Sequence, residues 1–324
     1  MIPKVSIIVP VFNSELYLYN SLDCLLKQTY KDIEIIIIDD SSTDNSYTVA
    51  KQFESNNVKV IKQPNAGAAV ARNTGLSYAA GEYIQFMDAD DYLSVDKIEK
   101  QVAALKGSYD KVAVCNYINF FAESDLSHST YEHDQDTFIF STNDPVNFLL
   151  NLYGANGQSN FIQTNSWLVP RPLIDKAGGW RNYRCPDDDG EFFSRILLAS
   201  GGVVYVPNVY NYYRRSIKGD ALSQRKDFLY LRNTLLTIDL KRTYLGRYTS
   251  GTNLKKAIAK QYLDFAVSTY LNNHILSDIA YKRFRSYNID VQTPKIGGTT
   301  IEIIKILFGW KVAKRIKFIL KSII

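Results

Sequence analysis

Short apolar, β-branched runs alternate with longer stretches of helical periodicity through the first third of the chain. The runs are Val5–Val11, Ile33–Asp39, Val58–Lys62 and Tyr83–Met87. They read as continuous rather than alternating, which predicts strands covered on both faces. Between them, Ser14–Gln28, Asp44–Ser55 and Ala68–Ala79 read as helices, with Ser42 or Asp44 as a cap and Gly81 as a stop. Such alternation predicts a parallel sheet flanked by helices and joined by right-handed crossovers.

Beyond Tyr92 the rhythm changes. A helix is expected over Ser94–Leu105 and a strand over Lys111–Phe121. A polar excursion over 123–143 contains a β-like run at Thr137–Ser141. Short helices at Asp144–Leu150 and Arg171–Ala177 bracket a strand at Thr164–Val169. Asp189–Ser200 reads as a helix stopped by Gly201 and Gly202, and Val203–Val206 as a strand before Pro207. From Gln224 to Tyr287 the period is helical throughout. Boundaries are expected near residues 222 and 292, the second in a linker with Pro294, Gly297 and Gly298.

Charge sharpens this division. The formal charge is +5, from 38 basic and 33 acidic residues. Gln292–Ile324 holds seven basic residues and one acid, Glu302, so the tail carries +6 and the remaining chain −1. A nearly neutral body argues against a general nucleic-acid binder, and a basic end reads as a local attachment point. At 46% apolar the chain can bury a core. Three cysteines and three histidines are scattered, so neither a zinc cluster nor a disulfide framework is expected, and a cytoplasmic setting is. The opening apolar run is too short for a signal peptide, and no stretch reaches the roughly 20 apolar residues of a membrane span.

The candidate chemistry is acidic and lies past the C-terminal ends of strands, where open parallel sheets bind ligands. Asp39 and Asp40 end the run IEIIIIDD. They fit either a capped turn or recognition of a base, since a carboxylate accepts the N3–H of uracil or thymine or the N1–H of guanine. Asp88, Ala89, Asp90 and Asp91 end YIQFMDADD. Two acids one residue apart suit a Mg²⁺ or Mn²⁺ ion that keeps positions open for phosphate; an acidic helix start is the alternative. Asn65 to Gly75 combines a glycine at a helix start with Arg72, suited to an anion or to an internal ion pair. Asp187, Asp188, Asp189 and Glu191 open a later helix; capping accounts for one or two of them, and another could take a proton from a hydroxyl.

In this order, VSIIVPVFNSELYLYNSLDCLLKQTYKDIEIIIIDDSSTDNS, NAGAAVARNTG, YIQFMDADDYL, DDDGEFFSR and VPNVYNYYRR resemble the inverting GT-A glycosyltransferases of family two, a large bacterial nucleotide-sugar transferase group. The resemblance spans residues 2 to about 223. It implies a GT-A, Rossmann-like, mostly parallel sheet with a C-terminal helical extension. A catalytic domain would cover 1–222, with a nucleotide-sugar half (1–110) and an acceptor half (111–222), before a helical region (223–291) and a basic amphipathic tail (292–324). Pro10, Phe12, Asn13, Glu15 and Asp40 would form the base pocket. Asn65, Arg72, Asp88, Ala89 and Arg214 would bind the rest of the donor. Asp90, with Asp88, would hold the metal. Asp189 matches the catalytic base. Asp188 stands where the family has Glu, and Gly190 where an aromatic is common, so Asp188 is the alternative base. The turn Gly178-Gly179-Trp180 would face the acceptor. Arg215 and Ser216 replace the His-containing end of the Tyr-Tyr-Arg motif.

The resemblance implies transfer from a UDP-, dTDP- or GDP-sugar to a saccharide or lipid-linked hydroxyl, with inversion, in cell-surface polysaccharide or glycolipid synthesis. A non-catalytic sugar-nucleotide-binding scaffold and a sugar nucleotidyltransferase are the competing classes. The second lacks its glycine-rich loop after the first strand, where Pro-Val-Phe-Asn stands. Over Lys311–Ile324 the basic residues gather on one helical side, and Val312, Ala313, Ile316, Ile319, Leu320, Ile323 and Ile324 oppose them. That helix either docks its apolar side on the body or lies on the inner face of the cell membrane.

Overall fold

A computed structural model describes residues 3–126, 128–215 and 227–323. Ser216, Ile324 and the expected boundary at 222 lie outside the described residues. The chain forms two compact units, the first comprising Met1–Pro145, Ile162–Arg184 and Asp188–Ala221.

That first unit is built on one eight-stranded sheet of order β3-β2-β1-β4-β7-β6-β8-β5. Its parallel half consists of β1 (Val5–Val11), β2 (Ile33–Asp39), β3 (Val58–Lys62) and β4 (Tyr83–Phe86). Helices α1 (Glu15–Leu26), α2 (Ser46–Lys51) and α3 (Ala68–Tyr78) connect them. β1 and β2 run in parallel from Val5 opposite Ile33 to Val11 opposite Asp39. Ile35, Ile36, Ile37 and Ile38 are all at most 3% exposed, as strands covered on both faces require. On α3, Gly75 lies so close to β1 that a Cβ there would come within 2.3 Å of Ile8 Cγ2. A side chain would push the helix off the sheet.

The other half is mixed. It holds β5 (Tyr92–Leu93), α4 (Lys97–Leu105), β6 (Lys111–Phe120), β7 (Trp167–Pro170), α6 (Arg171–Ala177), α7 (Asp188–Ala199) and β8 (Gly202–Arg214). β7 is antiparallel to both β4 and β6. Three local expectations change. Thr137–Ser141 is not a strand: a 3₁₀ turn covers His133–Thr137, and Phe138 and Ile139 bury their side chains beneath it. Thr164–Ser166 is a 3₁₀ turn, which delays the strand to Trp167. The strand beginning near Val203 continues through Pro207 to Arg214, because a register shift opposite Val114 and Asn116 accommodates the proline and Asn208 at φ 58°.

The second unit comprises Val146–Phe161, Cys185–Asp187 and Leu222–Ile324. It contains most of α5 (Pro145–Leu152), then α8 (Phe228–Leu245), α9 (Thr252–Thr269), α10 (His274–Ser286), α11 (Thr299–Phe308) and α12 (Trp310–Ile323). Asn273 caps α10 by accepting from the Leu276 N–H, and Asp227 caps α8 through Tyr230. Lys241, nearly buried, meets Asp187 at 2.7 Å, and Thr237 also donates to Asp187. This acid of the Asp-Asp-Asp run is therefore committed to the helical unit.

Candidate active site

The end of β2 turns into a web of backbone donors. Asp40 is 3% exposed. One carboxylate oxygen accepts from the Gln63 amide at 2.7 Å and the Ala66 N–H at 2.8 Å; the other accepts from the Gly67 N–H at 2.8 Å. Asn65 donates to the Asp40 carbonyl. Asp40 thus shapes the 65–67 loop, and Gly67 is held at φ 93°, a conformation that favours glycine. An ionised carboxylate has about four acceptor positions, and the Gln63, Ala66 and Gly67 donors use three of them. Asp39, fully buried, accepts weakly from the Ser42 N–H.

The loops after β1 and β2 are laced together by residues expected in the base pocket. Asn13 accepts from the Thr43 N–H at 2.8 Å, and its own N–H donates to Ser42. Glu15 accepts from the Asn45 N–H at 2.7 Å, while Asp44 accepts from the Glu15 N–H. Their side chains therefore clamp the pocket rather than line it freely. Phe12, 48% exposed, and the partly exposed Pro10 remain available as a flat apolar edge.

Past β4 the carboxylates crowd with less compensation. Arg72, buried on α3, donates to Asp88 at 2.8 Å and lies 4.4 Å from the Trp180 ring centre. Burial opposes its charge, but Asp88, Asp188 and Asp189 outweigh that and hold its pKa up. One guanidinium is thus shared between the strand-end acid and the acids opening α7. The Arg72 Nε has no hydrogen-bond partner among the described residues. Asp90 is pushed up to about 6, first by burial and then by Asp88, with Arg214 opposing. Asp91 is raised well above the carboxylate range by burial, then by Asp90 and Asp88.

Three residues fix this loop. Asn165 accepts from the Asp88 N–H at 3.1 Å and donates to Asp91 at 2.6 Å. The Arg214 N–H donates to Asp91, and its guanidinium donates to the Asp90 carbonyl at 2.9 Å, between the rings of Tyr17 and Phe120. Arg214 thereby supports the loop carrying Ala89. Lys97, fully buried, donates to Gln85 and Gln101, and Gln85 donates to the Asn165 carbonyl. Neither Asn165 nor Lys97 stood out in the sequence: TNSW reads as strand, and a lysine in a helix reads as solvated.

At α7, Asp188 accepts from the Asp189 N–H at 2.9 Å, and Asp189 accepts from the Gly190 N–H at 2.7 Å. The Thr164 hydroxyl lies 3.5 Å from Asp189. Glu191 is fully buried in a two-pronged pair with Arg195, whose other N–H groups donate to the carbonyls of Ala177, Gly178 and Gly179. This pair fastens the Gly178-Gly179-Trp180 turn, and Asn73 completes it by bonding both the N–H and the carbonyl of Trp180. Glu191 is thus committed to holding this turn in the fold. No cluster of three or more metal-binding side chains occurs among the described residues. Asp88 and Asp90 are a two-carboxylate oxygen donor set with excess negative charge, which fits a Mg²⁺-like ion completed by phosphate and water.

Comparison with known proteins agrees with this geometry. The chain is 28% identical over 287 residues to the glycosyltransferase GlyA of Streptococcus pneumoniae, covering 87% of this chain and 40% of GlyA. It therefore spans less than half of that relative's length. It is 31% identical over 241 residues to the UDP-Glc:alpha-D-GlcNAc-diphosphoundecaprenol beta-1,3-glucosyltransferase WfaP of Escherichia coli, covering 73% of this chain and 87% of WfaP. The fold resembles S. aureus TarS 1–349 in complex with UDP-GlcNAc, with a TM-score of 0.59 at 16% identity over 91% of this chain and 98% of that one. It also resembles the Pyrobaculum calidifontis mannosyltransferase PcManGT in complex with GDP-Man and Mn²⁺, with a TM-score of 0.56 at 16% identity over 97% and 84% of the two chains. The profile of glycosyl transferase family 2 matches residues 6–176, more than half of the chain, and with the carboxylate-lined strand ends of a GT-A sheet the protein is a member of that family.

Proposed function

We propose that this glycosyltransferase moves a sugar from a nucleoside-diphosphate donor to a hydroxyl acceptor in one displacement, with inversion at the anomeric carbon. The observation that carries the reading is the shared cation. Arg72 pairs with Asp88 and is charged in the field of Asp188 and Asp189, so the donor-side acids and the base are one electrostatic unit. Asp40 accepts an N–H of uracil, thymine or guanine, and Phe12 stacks on the base. Asp90 and Asp88 hold a Mg²⁺ or Mn²⁺ ion, which when bound offsets charge developing on the diphosphate. Asp189 takes the acceptor proton as the oxygen attacks opposite the leaving group. Arg72 holds Asp88 in place through its 2.8 Å ion pair. The donor complexes of TarS and PcManGT support a nucleotide-sugar substrate, and the acceptor named for WfaP supports a lipid-linked saccharide.

The test is nucleotide release from UDP-, dTDP- and GDP-sugars by the parent chain, Asp189→Ala and Asp188→Ala. Asp189→Ala should abolish transfer while donor binding stays within about threefold, since only the proton acceptor is lost. Full turnover by Asp189→Ala alongside a dead Asp188→Ala would move the base to Asp188.

A further inference from the structure

The last two helices of the second unit bury little of what their sequence offers. Their inner side is settled: Leu263 and Val267 of α9, with Tyr270 just past its end, cluster with Ile301, Trp310 and Ala313. Trp310 stands edge-on to Tyr270 and Tyr281, and Lys311 bonds Asp278 at 2.9 Å. Yet on α11, Ile303, Ile306, Leu307 and Phe308 are 52%, 79%, 67% and 66% exposed. On α12, Val312, Phe318, Ile319 and Leu320 are 39% to 57% exposed. At roughly 100° per residue, Ile303, Ile306 and Leu307 share the side of α11 opposite the buried Ile301.

Docking on the body was one of the two outcomes open to the apolar side of α12. Ala313 and Ile316 take that place, but Val312, Ile319 and Leu320 face outward. A soluble surface seldom gathers so many large apolar side chains in one short stretch. The surrounding charge identifies what covers them. Residues 292–324 carry seven basic residues, and their single acid is already spent. Glu302 pairs with Lys305 and accepts from the Ile296 and Gly297 N–H groups, which bring it down to about 2. Arg315 and Lys321 are exposed beside the apolar residues. Exposed apolar side chains beside the exposed cations Arg315 and Lys321 match an anionic lipid surface, with acyl chains taking the first and headgroups the second.

We propose that α11 and α12 together form a docking surface for an anionic bilayer, with Ile303, Ile306, Leu307 and Phe308 of α11 as its main insertion. This extends the attachment from 311–324 to a helix pair whose more exposed apolar face lies outside that segment. It does not depend on the transfer chemistry, because vesicle binding needs no turnover.

Flotation of the full chain with phosphatidylcholine vesicles, with and without about 30 mol % phosphatidylglycerol, tests it. The parent should float with the anionic vesicles and release as salt rises. Ile306→Asp with Leu307→Asp should lower binding by roughly tenfold or more, and Arg315→Glu with Lys321→Glu by several-fold, with unchanged circular dichroism and melting. The proposal is overturned if both double variants float like the parent, or if the parent binds neither vesicle. It is equally overturned if sedimentation shows a dimer that Ile306→Asp with Leu307→Asp dissociates, since a second copy would then be the occupant.

Discussion

Two acidic strand ends look alike in sequence and behave oppositely in the fold. After β2, Asp40 spends its carboxylate on Gln63 and on the N–H groups of Ala66 and Gly67. After β4, Asp88 pairs with the Arg72 guanidinium, and Asp90 is raised first by burial and then by Asp88. Acids that accept backbone N–H groups stabilise a loop. Acids that crowd each other store a demand for positive charge, which a cation-bearing ligand can meet. The difference separates a scaffold carboxylate from a crowded pair, the one proposed to hold a metal ion.

The sharpest way to break this comparison is Asp90→Asn. Transfer should fall by about 10²–10³-fold, because a ligand to the charge-neutralising ion is lost. The same change should raise the stability of the metal-free protein by about 1 kcal/mol, since it relieves like-charge crowding. Loss of stability in a urea titration would mean that Asp90 is structural after all. Asp40→Ala should do the reverse. Three part-buried donors lose their acceptor, so unfolding free energy should drop by about 1–3 kcal/mol, with weaker nucleotide binding as a consequence. An Asp40→Ala protein as stable as the parent, with donor affinity lost, would make Asp40 purely a ligand.

The smallest expected effect lies beneath β4. Burial lowers Lys97 to about 8 from an ordinary 10.5. Between those values the unfolded chain holds more protons, so this group's contribution to stability rises with pH across the window. Lys97→Met removes that dependence. The difference in urea midpoint between parent and variant should therefore change from about pH 7 to about pH 9.5, and a constant difference would place the lysine outside the buried set.

Much of the first unit was legible because its signals are local. Continuous isoleucine runs specify buried strands, and the spacing of apolar residues between them specifies helices; β1, β2 and β3 begin and end where those runs do. The acids of the candidate site were visible for a related reason, since a charge directly after a buried strand is conspicuous. Asn165 and Asn73 were not. An uncharged amide within a strand-like or helical stretch gives no pattern, and its role exists only through a loop it reaches from far away in the chain. Glu191 was conspicuous for its position, but its pairing with Arg195 and the fastening of a glycine turn decide what it does.

The sequence by itself determined the strand and helix sequence of the GT-A sheet, the acidic strand ends and a tail whose charge differs from the body. These follow from side-chain period, capping and composition, all of which act over a few residues. Tertiary structure decided which acids are satisfied and which are not, because partners such as those of Asp88 and Asp91 lie 16 and 123 positions away. It also decided which side of α12 faces out. Amphipathicity defines two sides of a helix, but only the neighbours in the fold determine which one is covered.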